Sequence, residues 1–413
     1  MEIVTGVGTS LGAGPGSGAD DHGDVSVKLV DIKACKILVV DDEMLIRELI
    51  KAQLSSAGFS SLDVAEDGLV GLERINETKP DLVILDIQMP GMNGIDVLKK
   101  IRADPDFDDM PIIVETGHDD RAFRNEVLRA GATDIISKPI DFKLLRLRVR
   151  THLEHRLLVL SLKTYQQRVE QELQAARSMQ LQLLPRERDV HAIEEKYGVK
   201  LDWHYQASSE LSGDCWGVHP INDTKFGVFI VDFTGHGVGA AVNTFRLHTV
   251  MKDLQPDSKS PARYLEKLND QLIDLIPRGQ FATINYSIVD VAQNIVTYAS
   301  AGHTPPIMGC STMNKVFLGK PDGLPVGIKK TVSFEDHEVG LGPDDFLFLY
   351  SDALIETPDE DAIPLDDDGL VKLVHKNLLQ SGEKRPLEGL LNDFYTRSPV
   401  LPTDDVTALW VQR

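Results

Sequence analysis

Five polar side chains in the N-terminal third of the chain stand at the ends of short apolar runs. They are Asp41, Asp42, Asp86, Thr116 and Lys138. Clustered carboxylates repel one another, so a hard cation such as Mg²⁺ would stabilise the three acids together. A hydroxyl and an ammonium at the same place would contact a phosphoryl group carried by Asp86. An acid at a strand end is by itself typical of a turn or a helix cap, but five such residues in this order predict phosphoryl uptake.

A second set of acids is spread over the C-terminal half of the chain. It comprises Asp214, Asp232, Asp352 and the adjacent pair Asp404 and Asp405. Glycines flank the first two, and glycine lets the backbone approach a ligand or an ion closely. Carboxylates that converge from distant strands are typical of a two-metal centre, which clamps a phosphate and activates a bridging water. The alternative for each acid taken alone is a turn residue.

The elements that would position the first set alternate between strands and helices. Short apolar runs typical of buried parallel strands cover residues 36–40, 81–86, 111–116 and 133–138, with a weaker run at 61–66. An amphipathic stretch, 45–58, ends in Gly58, a helix stop. This alternation predicts a doubly wound α/β domain, in which ligands bind at the carboxyl ends of the strands. Lys138 precedes Pro139, and such a bond can be cis.

A long helix is predicted from about Leu153 to Leu184, a stretch without glycine or proline that Pro185 ends. Apolar or small residues recur every seven positions at Leu162, Val169, Ala176 and Leu183, and Leu158, Tyr165 and Met179 fit a second seam that Glu172 interrupts. This stripe predicts a coiled-coil-like stalk between two domains, and hence a homodimer. One amphipathic helix that packs on its own domain is the alternative.

The elements of the C-terminal half predict an α+β domain built on antiparallel sheets. Strand-like runs with partial alternation cover 225–233, 281–290, 294–302, 344–352 and 405–412, and helical stretches cover 239–252 and 261–276. The acidic stretch 358–369 is predicted to be a solvated loop.

The N-terminal third resembles the receiver domain of two-component response regulators over about residues 35–150. The matching segments are VVDDE, LDIQMPGMNG, ETG and SKP. The resemblance implies a flavodoxin-like fold in which Asp86 is the phospho-acceptor. Asp41, Asp42, Asp86 and the backbone carbonyl of Gln88 would then hold Mg²⁺, while Thr116 and Lys138 read the phosphoryl group. Many receivers carry an aromatic switch residue three positions before this lysine, where this chain has Ile135.

The C-terminal part resembles the SpoIIE-like branch of the protein phosphatase 2C (metal-dependent phosphatase) family over roughly 172–413. The matching segments, in family order, are ARSMQLQLLP, SGDCW, VDFTGHG, FAT, ASAGHTPP with LPVG, and YSDALIE with TDDVT. The resemblance implies a four-layer α-β-β-α sandwich with two Mn²⁺ or Mg²⁺ ions. The implied ligands, which form the catalytic centre, are Asp214, Asp232, Asp352 and Asp404, with the backbone carbonyl of Phe233. Asp405 is a neighbour easily mistaken for the ligand.

Five further residues near these motifs need an interpretation. Ala353 stands where the family often has glycine, and Gly217 stands where it often has aspartate, but neither change removes an implied ligand. His236 and His303 are candidates for a general acid, with a structural role as the favoured alternative. Cys215 beside Asp214 is interpreted as a packing residue, because hard cations prefer oxygen ligands.

Composition excludes several classes of protein. The chain has 413 residues, with 64 Asp and Glu against 43 Lys and Arg, and its formal net charge of −21 argues against a nucleic-acid-binding surface. Three scattered cysteines predict neither a disulfide framework nor a cysteine zinc site. So few cysteines are typical of a reducing compartment, so the predicted location is the cytoplasm. The sequence predicts neither a signal peptide nor an apolar run near the ~20 residues that span a bilayer. Seven glycines among the first 24 residues predict a flexible tail.

These features together predict a response regulator whose phosphorylation at Asp86 controls a metal-dependent serine/threonine phosphatase. The predicted domains are a tail (1–33), a receiver (34–150), a helical linker (151–185) and a phosphatase domain (186–413). The resemblance implies a sensor histidine kinase or phosphotransfer protein as one partner, and a phosphoprotein of the anti-sigma-factor antagonist type as the substrate. The alternative is a catalytically weak or inactive phosphatase-like adaptor that binds a sigma-factor regulatory partner under control of the receiver.

Overall fold

The structure is a computed structural model that describes residues 31–117, 120–235, 237–310, 315–380, 386–398 and 402–413. Most of the predicted tail (residues 1–30) and the candidate His236 lie outside the described residues. The chain divides into two compact units between Gln166 and Gln167, and each is described by itself. In the described part of the chain, no helix combines the length and the apolar character needed to cross a bilayer.

The N-terminal unit is built on one five-stranded parallel sheet. Its strands are β1 (Lys36–Val40), β2 (Ser61–Ala65), β3 (Leu82–Asp86), β4 (Ile112–Thr116) and β5 (Asp134–Ser137). They lie in the order β2-β1-β3-β4-β5, the flavodoxin-like doubly wound order. The predicted fold class is therefore confirmed for this unit. The strand order reverses between β1 and β3, which places the carboxyl ends of these two strands beside the crevice where ligands bind.

Helices cover both faces of this sheet. They are α1 (Met44–Ser56), α2 (Gly68–Thr78), α3 (Gly94–Arg102) and α4 (Arg121–Arg129), with short 3₁₀ turns at Ile32–Ala34 and Pro105–Phe107. Side-chain caps fix where two of them begin: Asp67 accepts a hydrogen bond from the Val70 amide, and Asn93 accepts one from the Ile95 amide. One apolar core lies on each side of the sheet.

Helix α5 (Phe142–Leu181) is 40 residues long and belongs to both units. Leu145, Val149 and Leu153 in its first part are fully buried in the core on one face of the parallel sheet. The helix thus begins 11 residues before the predicted start at Leu153, since its first three turns are a packing element of the sheet. Farther along, Leu158, Leu162, Tyr165 and Met179 of the apolar stripe are more than half exposed.

The C-terminal unit contains two five-stranded antiparallel sheets. The first has the order β13-β10-β9-β8-β7 and the second the order β12-β11-β14-β15-β6. The strands are β6 (Lys200–Gln206), β7 (Cys215–Pro220), β8 (Lys225–Phe233), β9 (Ala282–Asp290), β10 (Ile295–Ala301), β11 (Ile307–Cys310), β12 (Lys315–Leu318), β13 (His337–Gly340), β14 (Asp345–Tyr350) and β15 (Val406–Gln412). One core, which includes Trp216 and Leu409, takes residues from both sheets and so lies between them.

Helices pack against both sheets, and the first of them contributes side chains to the core between the sheets. They are α6 (Glu187–Tyr197), α7 (Val238–Asp253), α8 (Pro261–Leu272), α9 (Ala353–Glu356), α10 (Asp366–Gln380) and α11 (Pro386–Arg397). Helices α7 and α8 share a core with the first sheet, and α9 to α11 share another with the second. The layers therefore follow the order α-β-β-α, and the predicted four-layer sandwich is confirmed.

Two details of the C-terminal unit differ from the sequence predictions. Strands β6, β7, β11, β12 and β13 were not predicted. Three of them, β11, β12 and β13, are only four residues long; β6 is partly exposed along most of its length, and β7 lacks a continuous apolar run. The acidic stretch 358–369 is only partly a loop, because its last residues form the first turn of α10. Three aspartates, Asp366 to Asp368, occupy that turn, where negative charge interacts favourably with the helix dipole.

Candidate functional sites

The three acids of the first set come together at the carboxyl ends of β1 and β3. One carboxylate oxygen from each of Asp41, Asp42 and Asp86 lies within 4.8 Å of the other two. These strands are neighbours in the sheet, which explains how residues 45 positions apart in sequence meet. Closely spaced carboxylates are the donor set that Mg²⁺ prefers.

Lys138 joins this cluster from the end of β5. Its Nζ lies 3.1 Å from Oδ2 of Asp41 and 3.0 Å from Oδ2 of Asp86. Burial lowers the pKa of Lys138, but hydrogen bonds to Asp86 and Asp41 outweigh burial and hold this pKa above its ordinary value. Burial raises the pKa of Asp86, and the hydrogen bond and charge of Lys138 offset only part of this increase. One ammonium against three carboxylates leaves net negative charge, so the residues fit a bound divalent cation.

The other predicted residues of this site lie around Asp86. Thr116 is fully buried at the end of β4, the strand next to β3. The backbone of Gln88 hydrogen-bonds to the Asp86 carboxylate. Gly94 packs against the strand end so closely that a Cβ there would lie 2.2 Å from the Asp86 carbonyl oxygen. The Lys138–Pro139 peptide bond is cis, as the sequence allowed.

Glu115 is a residue of this site that the sequence analysis missed. Its carboxyl group is buried, and neither of its oxygens has a hydrogen-bond partner among the described residues. Burial, followed by the charge of the nearby Asp41, raises its pKa to about 8. The available signal was a charged residue inside the otherwise apolar run 111–116.

The acids of the second set come from the ends of paired strands in the two antiparallel sheets. Asp214 directly precedes β7, Asp232 is the last residue but one of β8, Asp352 lies two residues after the end of β14, and Asp404 lies two residues before the start of β15. Strands β7 and β8 are neighbours in one sheet, and β14 and β15 are neighbours in the other. Each sheet thus contributes one pair of these carboxylates, located at the ends of two neighbouring strands.

Electrostatic interactions link these four carboxylates. Burial raises the pKa of Asp214 well above its usual range, and Asp232 raises it further. Burial raises the pKa of Asp232 to about 8, with Asp352 and Asp404 as the next causes. Burial, followed by Asp404, raises the pKa of Asp352 to about 6. Each acid therefore lies within electrostatic reach of another, in a site that disfavours negative charge.

Cations would relieve this repulsion, and carboxylates are the donors that hard divalent ions prefer. Among the described residues, however, no three of these four acids place their oxygens within 4.8 Å of one another, as Asp41, Asp42 and Asp86 do. Oδ2 of Asp214 is buried and has no hydrogen-bond partner among the described residues. Within the same described part of the chain, no lysine or arginine forms an ion pair with any of the four acids. A buried carboxylate oxygen without a partner costs free energy unless a proton or a metal ion binds it.

The backbone around Phe233 is the remaining part of this donor set. The Phe233 amide donates to the Gly213 carbonyl at 3.3 Å. A Cβ at residue 213 would lie 2.9 Å from the Phe233 carbonyl oxygen and 3.0 Å from that of Gly235. Only glycine at position 213 lets these two segments approach so closely, which places the Phe233 carbonyl beside the segment that carries Asp214.

Two family models match the chain, one in each of its two compact units. Residues 37–150 match the response regulator receiver domain, and residues 222–413 match stage II sporulation protein E (SpoIIE). The chain carries a receiver domain and a SpoIIE-type domain. The SpoIIE match begins eight residues after Asp214, so that acid lies before the matched range.

Similar proteins cover the two domains separately. The phosphoserine phosphatase RsbP of Bacillus subtilis is 29% identical over 162 residues, which are 38% of this chain and 40% of RsbP. The response regulator MprA of Mycobacterium sp. (strain KMS) is 39% identical over 115 residues, which are 28% of this chain and 49% of MprA. The chain thus spans less than half the length of these relatives.

A solved structure supports the fold of the SpoIIE-type domain. The SiaA-PP2C domain of Pseudomonas aeruginosa superposes with a TM-score of 0.52 at 17% sequence identity, covering 60% of this chain and 98% of that domain. This likeness concerns the fold, which is that of a phosphatase 2C-type domain.

The end of helix α5 contacts the segment that precedes Asp214 in the SpoIIE-type domain. The buried Gln180 amide group donates to the Ser212 carbonyl at 2.6 Å and to the Thr244 hydroxyl at 3.1 Å, and its Oε1 accepts from the Ser212 amide at 3.1 Å. In the sequence, Gln180 is part of the ARSMQLQLLP segment, with no local pattern that marks it. Its side chain ties the helix to the loop that carries a candidate ligand.

Glu356 is a second acid near the SpoIIE-type site that the sequence analysis did not single out. Its charge raises the pKa values of both Asp232 and Asp352, as a lesser cause. It ends α9, and its amide donates to the Asp352 carbonyl. The i, i+4 spacing from Asp352 on a helical turn is the signal that could have identified it.

The structure favours structural roles for two residues near the SpoIIE-type site. His303 is buried, and its Nδ1 lies 3.0 Å from the Thr304 hydroxyl. Burial lowers the pKa of His303 to about 4, so the ring is neutral near pH 7. Burial and Asp214 raise the pKa of Cys215 to about 12, which keeps it a thiol.

Three departures from the family patterns have local explanations. Ala353 begins helix α9 and is not among the residues with positive φ, so glycine is not needed there. Gly217 faces the ring of Phe229, which would lie 2.3 Å from a Cβ at position 217. In the receiver domain, Ile135 is buried in the core of the sheet.

The raised pKa values predict how the metal-free SpoIIE-type domain responds to pH. Asp232 has a folded-state pKa of about 8, whereas an unfolded aspartate titrates near ~3.9. The folded state therefore retains a proton that the unfolded state releases, so the free energy of unfolding falls as the pH rises from about 4 to about 8. Unfolding with urea in the presence of a chelator, followed by fluorescence, would measure this.

Fluorescence suits this measurement because the three tryptophans of the chain, Trp203, Trp216 and Trp410, all lie in the SpoIIE-type domain. The matched variant Asp232→Asn removes the titrating group, so its stability should fall less over the same pH range. Equal pH dependence in the two proteins would contradict the prediction.

Proposed function

We propose that this chain is a response regulator in which phosphorylation of Asp86 controls a metal-dependent serine/threonine protein phosphatase. The observation that carries the proposal is the set of four electrostatically linked acids in the SpoIIE-type domain, with an unpartnered buried oxygen on Asp214. Such a set is suited to holding divalent cations against a phosphate group.

In the receiver domain, the Asp86 carboxylate is the proposed nucleophile toward a phosphodonor. Asp41, Asp42, Asp86 and the Gln88 carbonyl would hold Mg²⁺, which neutralises charge on the transferred group. Lys138 already lies within 3.1 Å of both Asp41 and Asp86, so its ammonium is placed to contact an oxygen of a phosphoryl group on Asp86. The buried Thr116 hydroxyl, at the end of the next strand, is the proposed second contact.

In the SpoIIE-type domain, Asp214, Asp232, Asp352, Asp404 and the Phe233 carbonyl would hold two Mn²⁺ or Mg²⁺ ions. Bound ions of this kind activate a water and neutralise the phosphate, so that a phosphoserine yields serine and inorganic phosphate. The chain itself orients the carboxylates: the two sheets present one pair each, and burial keeps the pairs in an environment where cation binding is favourable.

The substrate and partners belong to the proposal as well. RsbP, a relative of the SpoIIE-type domain, is named as a phosphoserine phosphatase, which supports phosphoserine or phosphothreonine on a protein, of the anti-sigma-factor antagonist type, as the substrate. The receiver domain supports a sensor histidine kinase or a phosphotransfer protein as the phosphodonor. The half-exposed apolar stripe on α5 supports a homodimer through the linker at 151–185, in a cytoplasmic protein.

The proposed connection between the domains is helix α5, because one continuous helix begins in the receiver core and ends at Gln180 beside the Ser212 segment. The test uses the full chain with Mn²⁺ and a phosphoserine protein, before and after treatment with acetyl phosphate. We expect the hydrolysis rate to change about 5- to 150-fold on phosphorylation, the usual range of allosteric coupling.

The variant Gln171→Pro interrupts the helix at an exposed position and should abolish this dependence while leaving Asp86 phosphorylation intact. Gln171→Ala at the same position should behave as the wild type. If hydrolysis by the proline variant still followed Asp86 phosphorylation, the helical connection would be wrong. Background rates in both phosphorylation states of the wild type would instead favour the adaptor.

A further inference from the structure

The second acid of the TDDVT segment has a different environment from the first. Asp404 is exposed, whereas the Asp405 side chain is 3% exposed. We infer that Asp405 is a positioning residue, which holds the segment Ser212–Gly213–Asp214 so that the Asp214 carboxylate points at the metal site. The inference rests on the proposed function, since it assumes that Asp214 is a metal ligand.

Both carboxylate oxygens of Asp405 accept hydrogen bonds from the loop between β6 and β7. Oδ1 accepts from the Ser208 amide at 2.7 Å and from the Ser208 hydroxyl at 2.9 Å. Oδ2 accepts from the Ser212 hydroxyl and from the Gly213 amide, both at 2.7 Å. An ionised carboxylate has about four lone-pair sites, so these four donors leave Asp405 no site for a metal ion.

The Ser212 hydroxyl extends this contact to Asp214 itself. It donates to Asp405, and it accepts from the Asp214 amide at 3.0 Å. The Asp405 side chain thus fixes the two residues that precede Asp214 directly, and fixes the Asp214 backbone through one serine. Fixing the backbone that leads into Asp214 restricts the directions in which its carboxylate can point.

The backbone of Asp405 also connects to the segment of a third candidate ligand. The Ser351 hydroxyl donates to the Asp405 carbonyl at 2.9 Å and accepts from the Thr407 amide at 2.9 Å. Ser351 directly precedes Asp352, and Asp404 directly precedes Asp405. Asp405 is therefore covalently bonded to Asp404 and hydrogen-bonded to residues that directly precede Asp214 and Asp352. Through these bonds it sets how the segments of the three acids lie relative to one another.

The substitution that tests this role is Asp405→Asn in the full chain. An asparagine keeps the size of the side chain but presents an NH₂ group to two of the four donors, so the Ser212 segment loses its anchor. We expect Mn²⁺ to bind the SpoIIE-type domain about 10- to 100-fold more weakly, the usual cost of losing an outer-shell partner of a metal ligand. Isothermal titration calorimetry with Mn²⁺ measures this without relying on catalysis.

Serine variants separate positioning from stability. Ser212→Ala removes the hydroxyl that joins Asp405 to the Asp214 amide and should also weaken Mn²⁺ binding. Ser208→Ala removes one hydrogen bond to the same carboxylate, at a residue that does not lie next to Asp214, and should leave Mn²⁺ affinity close to wild type. Saturating Mn²⁺ should restore hydrolysis in Asp405→Asn but not in Asp214→Asn. If Asp405→Asn does not fold, the two serine variants still decide the question.

Two outcomes would overturn the inference. Unchanged Mn²⁺ affinity in folded Asp405→Asn or in Ser212→Ala would show that the contact does not position the ligand. Loss of a bound ion that excess Mn²⁺ does not restore would show that Asp405 is itself a ligand. A wild-type chain that binds Mn²⁺ through Asp352 but hydrolyses nothing would refute the proposed function and leave the positioning role intact.

Discussion

Asp352→Asn should lower the Mn²⁺-dependent hydrolysis of a phosphoserine protein by at least about 100-fold. Asp352 links the acid pairs of the two sheets electrostatically: it raises the pKa of Asp232 from the other sheet, and its own pKa is raised by burial and by Asp404. A bound metal ion stabilises transition-state charge by several kcal/mol, and a 100-fold loss corresponds to about 2.7 kcal/mol. The measurement is the initial rate of phosphate release at fixed Mn²⁺.

The asparagine is nearly isosteric with aspartate, so its effect should come from the lost charge and not from a change of packing. The control is Asp223→Asn, at an acid whose side chain is fully exposed and makes only a surface ion pair with Lys196. This variant should keep the wild-type rate. Equal rates for wild type and Asp352→Asn, both above background, would place the catalytic centre elsewhere in the chain.

Asp86→Asn should prevent the receiver domain from accepting a phosphoryl group. An amide oxygen is a far weaker nucleophile than a carboxylate, and the other two acids of the cluster lack its position at the end of β3 beside Gln88. After treatment with acetyl phosphate and Mg²⁺, intact mass spectrometry should detect a phosphorylated fraction in the wild type and none in the variant.

The matched control for Asp86 is Asp106→Asn in the same domain. Asp106 is about two-thirds exposed and forms a surface ion pair with Lys79, so its replacement should leave phosphorylation unchanged. If Asp86→Asn were labelled to the same extent as the wild type, another side chain would be the acceptor. Peptide mapping of the labelled wild type would then identify that residue.

Local patterns in the sequence predicted much of the fold. The bounds of β1 and β8 agree with the predicted runs 36–40 and 225–233, because these strands are continuous apolar segments with polar residues or turns at both ends. Strands β6 and β13 were missed, since neither contains the continuous apolar run of a buried strand. Helix α5 begins earlier than predicted because its first turns take part in the core of the receiver sheet.

In the candidate sites, too, local sequence patterns predicted some residues and missed others. Acids at strand ends can be recognised locally, so the sequence by itself predicted that Asp41, Asp42 and Asp86, and likewise Asp214 and Asp352, could hold cations. The roles of Glu115, Gln180 and Glu356 depend on which atoms lie across from them in space. Gln180, for example, contacts a residue 32 positions away, and no local pattern predicts such a contact.

The adjacent acids Asp404 and Asp405 show what only the tertiary structure decided. In sequence they are two equivalent aspartates at the start of a strand, and the family resemblance alone preferred the first. In the structure both residues lie just before β15, and the loop between β6 and β7 packs against only the second of them. Asp404 is exposed within electrostatic reach of Asp232 and Asp352, whereas Asp405 is buried among donors some 190 residues away in the chain.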